Sequence, residues 1–393
     1  MSTVNEPQSG PAAGELNPLG PATAADPGAA TAAADVPTVT PGGGRRLVPK
    51  STLLRHLIVL IVCAVGAVAL LESTSPYTNS QLAAVTYYAI AAGGLTVLTG
   101  LNGQISLGHG ALMAVGAYTT ALLLEADHPL PLPVIFLIAT ALTIVVGAVV
   151  GVAAARLHGP YLAGATLALA VGLPGLTLYF GKTLGGEQGL TVLAPPAPDW
   201  FTSFIAWVSG NFADQTKWLA YLGTIVLLIT FFLLANLARS RVGRTWRAVR
   251  DNEVAAELAG ISLANWRVTA FVVSAACAGL GGTVLALVVR LAAPSAFTLV
   301  LSLALLTAIV IGGLGSLLGA LLGSALLVFL PPAVTDLGTA QGLSSTAAAQ
   351  LAPLVYGLVL AAVMIFAPAG FVGTLRRLWQ TARGRWSPRA GGR

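Results

Sequence analysis

The chain has 393 residues, of which 56% are hydrophobic and only 9% charged, with mean hydropathy +0.83 and a formal net charge of +6. Soluble domains carry about 25% charged residues, so a soluble globular protein is excluded. The apolar runs do not alternate with polar residues as the strands of a membrane barrel do, which leaves an all-α polytopic membrane protein.

Residues 1–44 are rich in Ala, Pro, Gly and Thr. Such a segment buries too little apolar surface to offset its ordering entropy, and it is expected to be a disordered cytoplasmic tail. It lacks the basic start and apolar core of a signal peptide. About ten spans are predicted over a transmembrane region, 45–375. They lie near 56–71, 82–99, 105–124, 131–153, 161–180, 218–238, 267–289, 296–311, 314–331 and 352–367, some short or interrupted by glycine. A basic cytoplasmic tail, 376–393, follows.

The positive-inside rule supports the even count. With both termini cytoplasmic, the clusters Arg45–Arg55, Arg156, Arg239–Arg267 and Arg376–Arg393 share one side, and Lys182, Lys217 and Arg290 take the other. No charged residue falls mid-span. Ion-coupled carriers usually keep such a group inside the bundle, so the energy source is expected to be external. Cys63 and Cys277 lie in apolar runs and read as packing residues.

Leu95–Tyr118, LTVLTGLNGQISLGHGALMAVGAY, breaks an apolar pattern with five glycines and carries Asn102, Gln104, Ser106 and His109. Non-helical backbone at membrane depth is tolerated where it is buried in protein or lines a wet cavity. These four are the translocation-pathway candidates, and a plain turn between two helices is the alternative. Ile311–Gly323, IGGLGSLLGALLG, partly echoes this stretch. On the predicted spans both breaks sit at cytoplasmic ends, which does not make an inverted repeat. Arg156–Thr166, RLHGPYLAGAT, closes a cytoplasmic loop. Gly185–Leu190, GGEQGL, opens a long external loop that holds Trp200 and Trp207. Those tryptophans fit either membrane anchors or a docking surface for a donor protein.

Arg244–Gly260, RTWRAVRDNEVAAELAG, is a basic, amphipathic, helix-forming segment within a cytoplasmic loop at about 239–266. Asp251, Glu253 and Glu257 are expected on one side, beside Arg250. Ala255 and Ala256 leave a smooth face, and Gly260 reads as a C-cap. A small-residue face flanked by charge suits a groove on a partner protein, whereas a basic helix lying on anionic lipid accounts for the first half alone. GRRLVPKST near Lys50 lacks the glycine before the lysine that a phosphate loop needs, and GLGSLLG has dinucleotide-site glycines at the wrong spacing. No zinc spacing and no nucleophile–base pair is found.

Six stretches in order over about residues 82–373 resemble the LivM-type permeases of branched-chain amino-acid ABC importers. They are GLTVLTGLNGQISLGHGALMAVGAYTTALL, RLHGPYLAGATLALA, GGEQGL, the segment from Gly243 to Leu287, LLTAIVIGGLGSLLGALLGSALL and YGLVLAAVMIFAPAGFVG. The resemblance implies a bacterial plasma-membrane permease working by alternating access with two ATPase subunits, a second related permease and an external solute-binding protein. It implies that Arg250, Asp251, Glu253, Ala255, Ala256, Glu257 and Gly260 belong to the loop that docks on the ATPase. ATP would then sit on partner subunits, with no cofactor on this chain and no nucleic-acid partner. Import of urea, amides or another small neutral solute by the same machine is an alternative, as is an ATP-independent facilitator. The chain departs from the family's pattern at Ala170–Leu173, where relatives often carry an aromatic-Gly-Glu run. It departs again at Ala367 and Ala369, which replace an arginine-containing end.

Overall fold

The computed structural model describes residues 52–126, 130–157, 160–210, 214–366, 370–375 and 379. The expected N-terminal tail lies outside the described residues, as do Arg45, Arg46, Lys50, His158, Gly159, Ala367, Ala369 and all of 376–393 except Trp379.

Fourteen α-helices follow one another among the described residues. They are α1 (Thr52–Ser73), α2 (Pro76–Leu95, continued by a π turn at Thr96–Leu101), α3 (His109–Glu125), α4 (Leu132–Ala155), α5 (Pro160–Tyr179), the single turn α6 (Gly181–Leu184), α7 (Asp199–Ser209), α8 (Gln215–Arg239), α9 (Arg241–Asp251), α10 (Glu253–Leu258), α11 (Leu263–Val289), α12 (Leu299–Gly312), α13 (Leu317–Ala340) and α14 (Ser345–Phe366). Two short strands, β1 (Leu190–Thr191) and β2 (Leu291–Ala292), pair antiparallel. Eight of the helices are long and apolar enough to cross a membrane, whereas α3 with 17 residues and α12 with 14 fall short. Helices satisfy every backbone group internally, which hydrocarbon demands. The chain is an all-α, multi-pass membrane protein.

Local chemistry sets several helix starts. Ser75 accepts from the Thr78 amide ahead of Pro76, and Ser316 accepts from the Gly319 amide to open α13.

Helix α11 is the centre of the bundle and packs against α2, α3 and α4. Glycine permits the close approach. Gly94 sits on Ser274 and Cys277, Gly116 on the backbone of Gly279, and Gly282 on the carbonyl of Met113. Such small-residue contacts replace the hydrophobic drive that lipid removes. Helix α1 runs antiparallel to α8 and is tied to it near both ends, by His56 Nδ1–Asn236 Oδ1 at 2.8 Å and by Lys217 Nζ–Glu72 Oε2 at 2.7 Å.

Three predicted spans are corrected. The span expected at 105–124 starts as a helix only at His109, because 102–108 carries no helix. The span expected at 296–311 starts at Leu299, after a 3₁₀ turn at Pro294–Phe297. The span expected to end at 331 continues through Pro331 and Pro332 to Ala340.

These corrections expose an inverted arrangement between a different pair of segments from the two glycine breaks compared in the sequence, which do sit at the same end. Helix α2, the return 102–108 and the short α3 form one unit. Helix α11, the return 290–298 and the short α12 form another. The long helices are antiparallel, since Gly94 meets Ser274 and Cys277 while Gly281 meets Tyr87 and Ala91. His109 Nε2 bonds the carbonyl of Ala91 at 2.9 Å, ten residues back from Leu101, so the first return climbs about 15 Å along the bundle. Phe297 of the second return lies against Tyr118 of α3. The two short helices meet in their first turns, where Gly110 N donates to Ser302 Oγ at 2.9 Å.

Candidate functional site

The segment expected to be one helix is two. Asn252, extended at φ −159° and ψ 103°, separates α9 from α10, and its Oδ1 accepts from the Ala255 amide at 3.0 Å. An Asn favours such a cap over continuing the helix. Asp251 and Glu253 therefore do not share one helix face. Asp251 accepts from Arg250, and Glu253 Oε1 accepts from Arg267 Nη2 at 2.5 Å, with Arg267 nearly buried in the first turn of α11. Gly260 behaves as expected. Its φ is +81°, its amide donates to the Glu257 carbonyl at 2.9 Å, and the Ile261 amide reaches Ala256 at 3.0 Å, which together make a Schellman end.

Helix α9 seats Gly243, Trp246 and Val249 inward. Trp246 is fully buried and its Nε1 donates to the Trp266 carbonyl at 3.1 Å, so α9 is anchored on α11. Helix α10 is the opposite case. Only Ala256 is buried, while Ala255 and Glu257 are exposed, with Val254 at 68% and Leu258 at 86% exposure. Val254 and Leu258 are one turn apart and project together. The sequence reading weighed the alanines and passed over this apolar pair, although its i, i+4 spacing was there to read.

At the other end of Arg250 lies the first glycine break. Arg250 Nη1 donates to the Gly100 carbonyl at 2.6 Å. A Cβ at Gly100 would overlap the Gly315 backbone, so the two glycine-rich breaks that resemble each other in sequence are in direct contact.

Asn102, Gln104, Ser106 and His109 are all buried, at 3%, 6%, 1% and 0% exposure. Ser106 Oγ accepts from the Gly108 amide and His109 Nε2 engages Ala91. Both amide atoms of Asn102, both of Gln104 and Nδ1 of His109 find no hydrogen-bond partner among the described residues. A buried polar atom left so costs about 1–3 kcal/mol. None of the four lines either of the two cavities described next. The return that carries them is tied to α5 through Leu107 N, which donates to Thr166 Oγ1 at 3.0 Å. Thr166, at the end of the RLHGPYLAGAT motif, therefore braces the return.

The opposite end of the bundle holds Lys182, Lys217 and Arg290, together with the strands. GGEQGL is a structural turn. Gly185, Gly186 and Gly189 all have positive φ, and a Cβ on Gly189 would overlap the Ala292 carbonyl, so the motif seats β1 on β2. Trp200 and Trp207 on α7 are exposed, while Phe201 and Ile205 on its other side are buried, with Phe201 against Trp218 and Tyr221. A cavity of about 290 Å³ is lined by Glu72, Thr74, Asn79, Asp214, Thr216 and Lys217. A second, of about 340 Å³, lies between the end of α3 and β1, beside Glu125 and Leu193. No group of His, Cys, Asp and Glu able to hold a metal occurs among the described residues.

A family model described as branched-chain amino acid transport system / permease component matches residues 77–368. The chain is 28% identical over 337 residues to the high-affinity branched-chain amino acid transport system permease protein LivM of Escherichia coli (strain K12), covering 82% of this chain and 76% of that protein. It is 27% identical to the permease protein BraD of Pseudomonas aeruginosa, covering 73% and 91%. It is 24% identical to the permease protein LivH of Escherichia coli (strain K12), covering 73% and 91%. No solved structure matches. With the family model matching residues 77–368, most of the bundle, the chain belongs to the family of permease components of branched-chain amino acid transport systems.

Proposed function

We propose that this chain is one of two related permease subunits of a bacterial plasma-membrane importer for branched-chain amino acids, driven by ATP hydrolysis on two separate ATPase subunits and fed by an external binding protein. The face carrying α9 and α10 is cytoplasmic, and the strand end faces the binding protein. The observation that carries the reading is α10. It is a capped helix, anchored through Glu253 to Arg267, that holds Val254 and Leu258 out in water. Burying an exposed side chain of this size is worth about 1.5–3 kcal/mol, so the pair supplies a reason to dock a protein groove. Asp251, Ala255 and Glu257 form the rim of that contact, and Gly260 ends it. No cofactor sits on this chain, because ATP binds the partner subunits.

Substrate passes by alternating access. The return bearing Asn102, Gln104, Ser106 and His109 borders the path, where its unsatisfied amides meet polar atoms from water, from the amino acid or from the second permease. A zwitterion needs no fixed charge on such a path.

The test is reconstitution in proteoliposomes with the ATPase, second-permease and binding-protein subunits. Leucine uptake should require ATP. Val254→Asp with Leu258→Asp should lower ATPase co-purification by about tenfold or more, as loss of about 1.4 kcal/mol or more of contact requires. Leucine uptake by this chain alone without ATP would replace the importer with a facilitator. ATP-driven uptake of urea or an amide, but not of leucine, would keep the machine and change its cargo.

A further inference from the structure

Arg250 ends α9 but does not belong to the exposed docking pair. Its Nε and Nη2 donate to Asp251 Oδ1 at 2.9 and 2.7 Å, and its Nη1 crosses to the Gly100 carbonyl at 2.6 Å. The carboxylate grips two nitrogens of a rigid fork, which fixes the direction of the third. Gly100 lies in the last turn of the π segment, where carbonyls run out of intrahelical donors. Gly103, at φ +82°, lies under the aliphatic stem of Arg250, and a Cβ there would stand 2.8 Å from Arg250 Cγ. Gly100 packs in turn on Gly315, in the turn between α12 and α13. One guanidinium therefore joins the end of α9 to the end of α2, at the spot where α2 touches the second break.

We propose that Arg250 is a positioning residue that transmits displacement of the docking helix to the joint formed by Gly100 and Gly315. The inference rests on the importer reading above. Besides its packing on α8, helix α9 is held by Trp246 on α11 and by Arg250 on the π turn that continues α2. Movement imposed at α10 therefore pivots α9 on the apolar anchor and pulls on the polar one. The joint yields because neither glycine puts a side chain between the two backbones. A contiguous path from the docking helix to a joint that can move is what a coupling device requires.

The test uses the full assembly in proteoliposomes, with labelled leucine uptake and ATP hydrolysis measured in the same vesicles. Arg250→Gln is expected to keep the ATPase subunits through purification and to hydrolyse ATP, while leucine moved per ATP falls about tenfold. Arg250→Lys keeps a donor without the fork and should fall between. Gly103→Ala leaves the guanidinium present but displaces its stem, and should reduce uptake per ATP in the same direction. Where Arg250→Gln does not assemble, Gly103→Ala decides. Unchanged leucine moved per ATP in the assembled variants overturns the proposal. Parallel loss of assembly and hydrolysis in both makes Arg250 a docking residue and overturns it as well. Absence of ATP-dependent uptake by the wild type sinks the importer reading instead.

Discussion

Glu72 and Lys217 form an ion pair whose side chains are only about a tenth exposed, and Tyr221 donates to the same carboxylate at 2.8 Å. Removing one partner of such a pair costs about 3–5 kcal/mol, because the other charge stays buried. Lys217→Met should therefore lower thermal stability by about 3 kcal/mol, and adding Glu72→Gln should recover most of it. Equal losses in single and double variants, followed by thermal unfolding in detergent, would show that the pair carries no such penalty. The two residues are 145 positions apart. The sequence placed both just outside predicted spans, with nothing to say that they meet. Gly260 was legible because a C-cap is local chemistry. Asn102 and Gln104 were legible as misplaced polar residues, but that their amides are buried without a partner among the described residues depends on packing by elements far away in the chain.

Among the helices, hydropathy located the eight long ones, because about 20 apolar residues leave few alternatives, and the shorter α3 and α12 as well. It misplaced their ends where apolar residues continue beyond the α-helix, as Ile105 and Leu107 do in the non-helical return before α3 and Phe297 does in the 3₁₀ turn before α12. Hydropathy measures transfer from water, not dihedral angle. The break at Asn252 was missed for the reverse reason, since helix-forming residues flank it on both sides. The packing between helices is testable through glycine. A Cβ on Gly282 would overlap the Met113 carbonyl, whereas one on Gly172 meets nothing within 4 Å. Gly282→Ala should cost about 3 kcal/mol through overpacking, and Gly172→Ala should stay within about 1 kcal/mol. Thermal unfolding of the two variants side by side checks this, and equal stability would mean that α3 and α11 can separate freely.

For the whole molecule, the division of charge read from the sequence coincides with two ends of the bundle. Arg239, Arg241, Arg244, Arg247, Arg250 and Arg267 lie at the end that carries α9 and α10, and Lys182, Lys217 and Arg290 lie at the end that carries the strands. Glu187 and Glu257 are exposed at opposite ends. With Cys63 replaced by Ser, an impermeant maleimide should label Glu187→Cys in intact cells and Glu257→Cys only after permeabilisation. The reverse pattern would invert the proposed orientation. The order of spans and their charge bias were legible, but the relation between α2–α3 and α11–α12 was not. It lies in shape and direction rather than in shared residues.

The meeting of α3 and α12 has an electrostatic consequence. Each begins inside the bundle without a side-chain cap, and Gly110 of one touches Ser302 of the other. Aligned peptide dipoles leave about half an elementary charge of positive sign at each such end. The interior therefore carries a positive potential that no ionisable side chain supplies, at a depth where an arginine would be costly. Like ends also repel, so the field works to part the two first turns while the Gly110–Ser302 hydrogen bond holds them together.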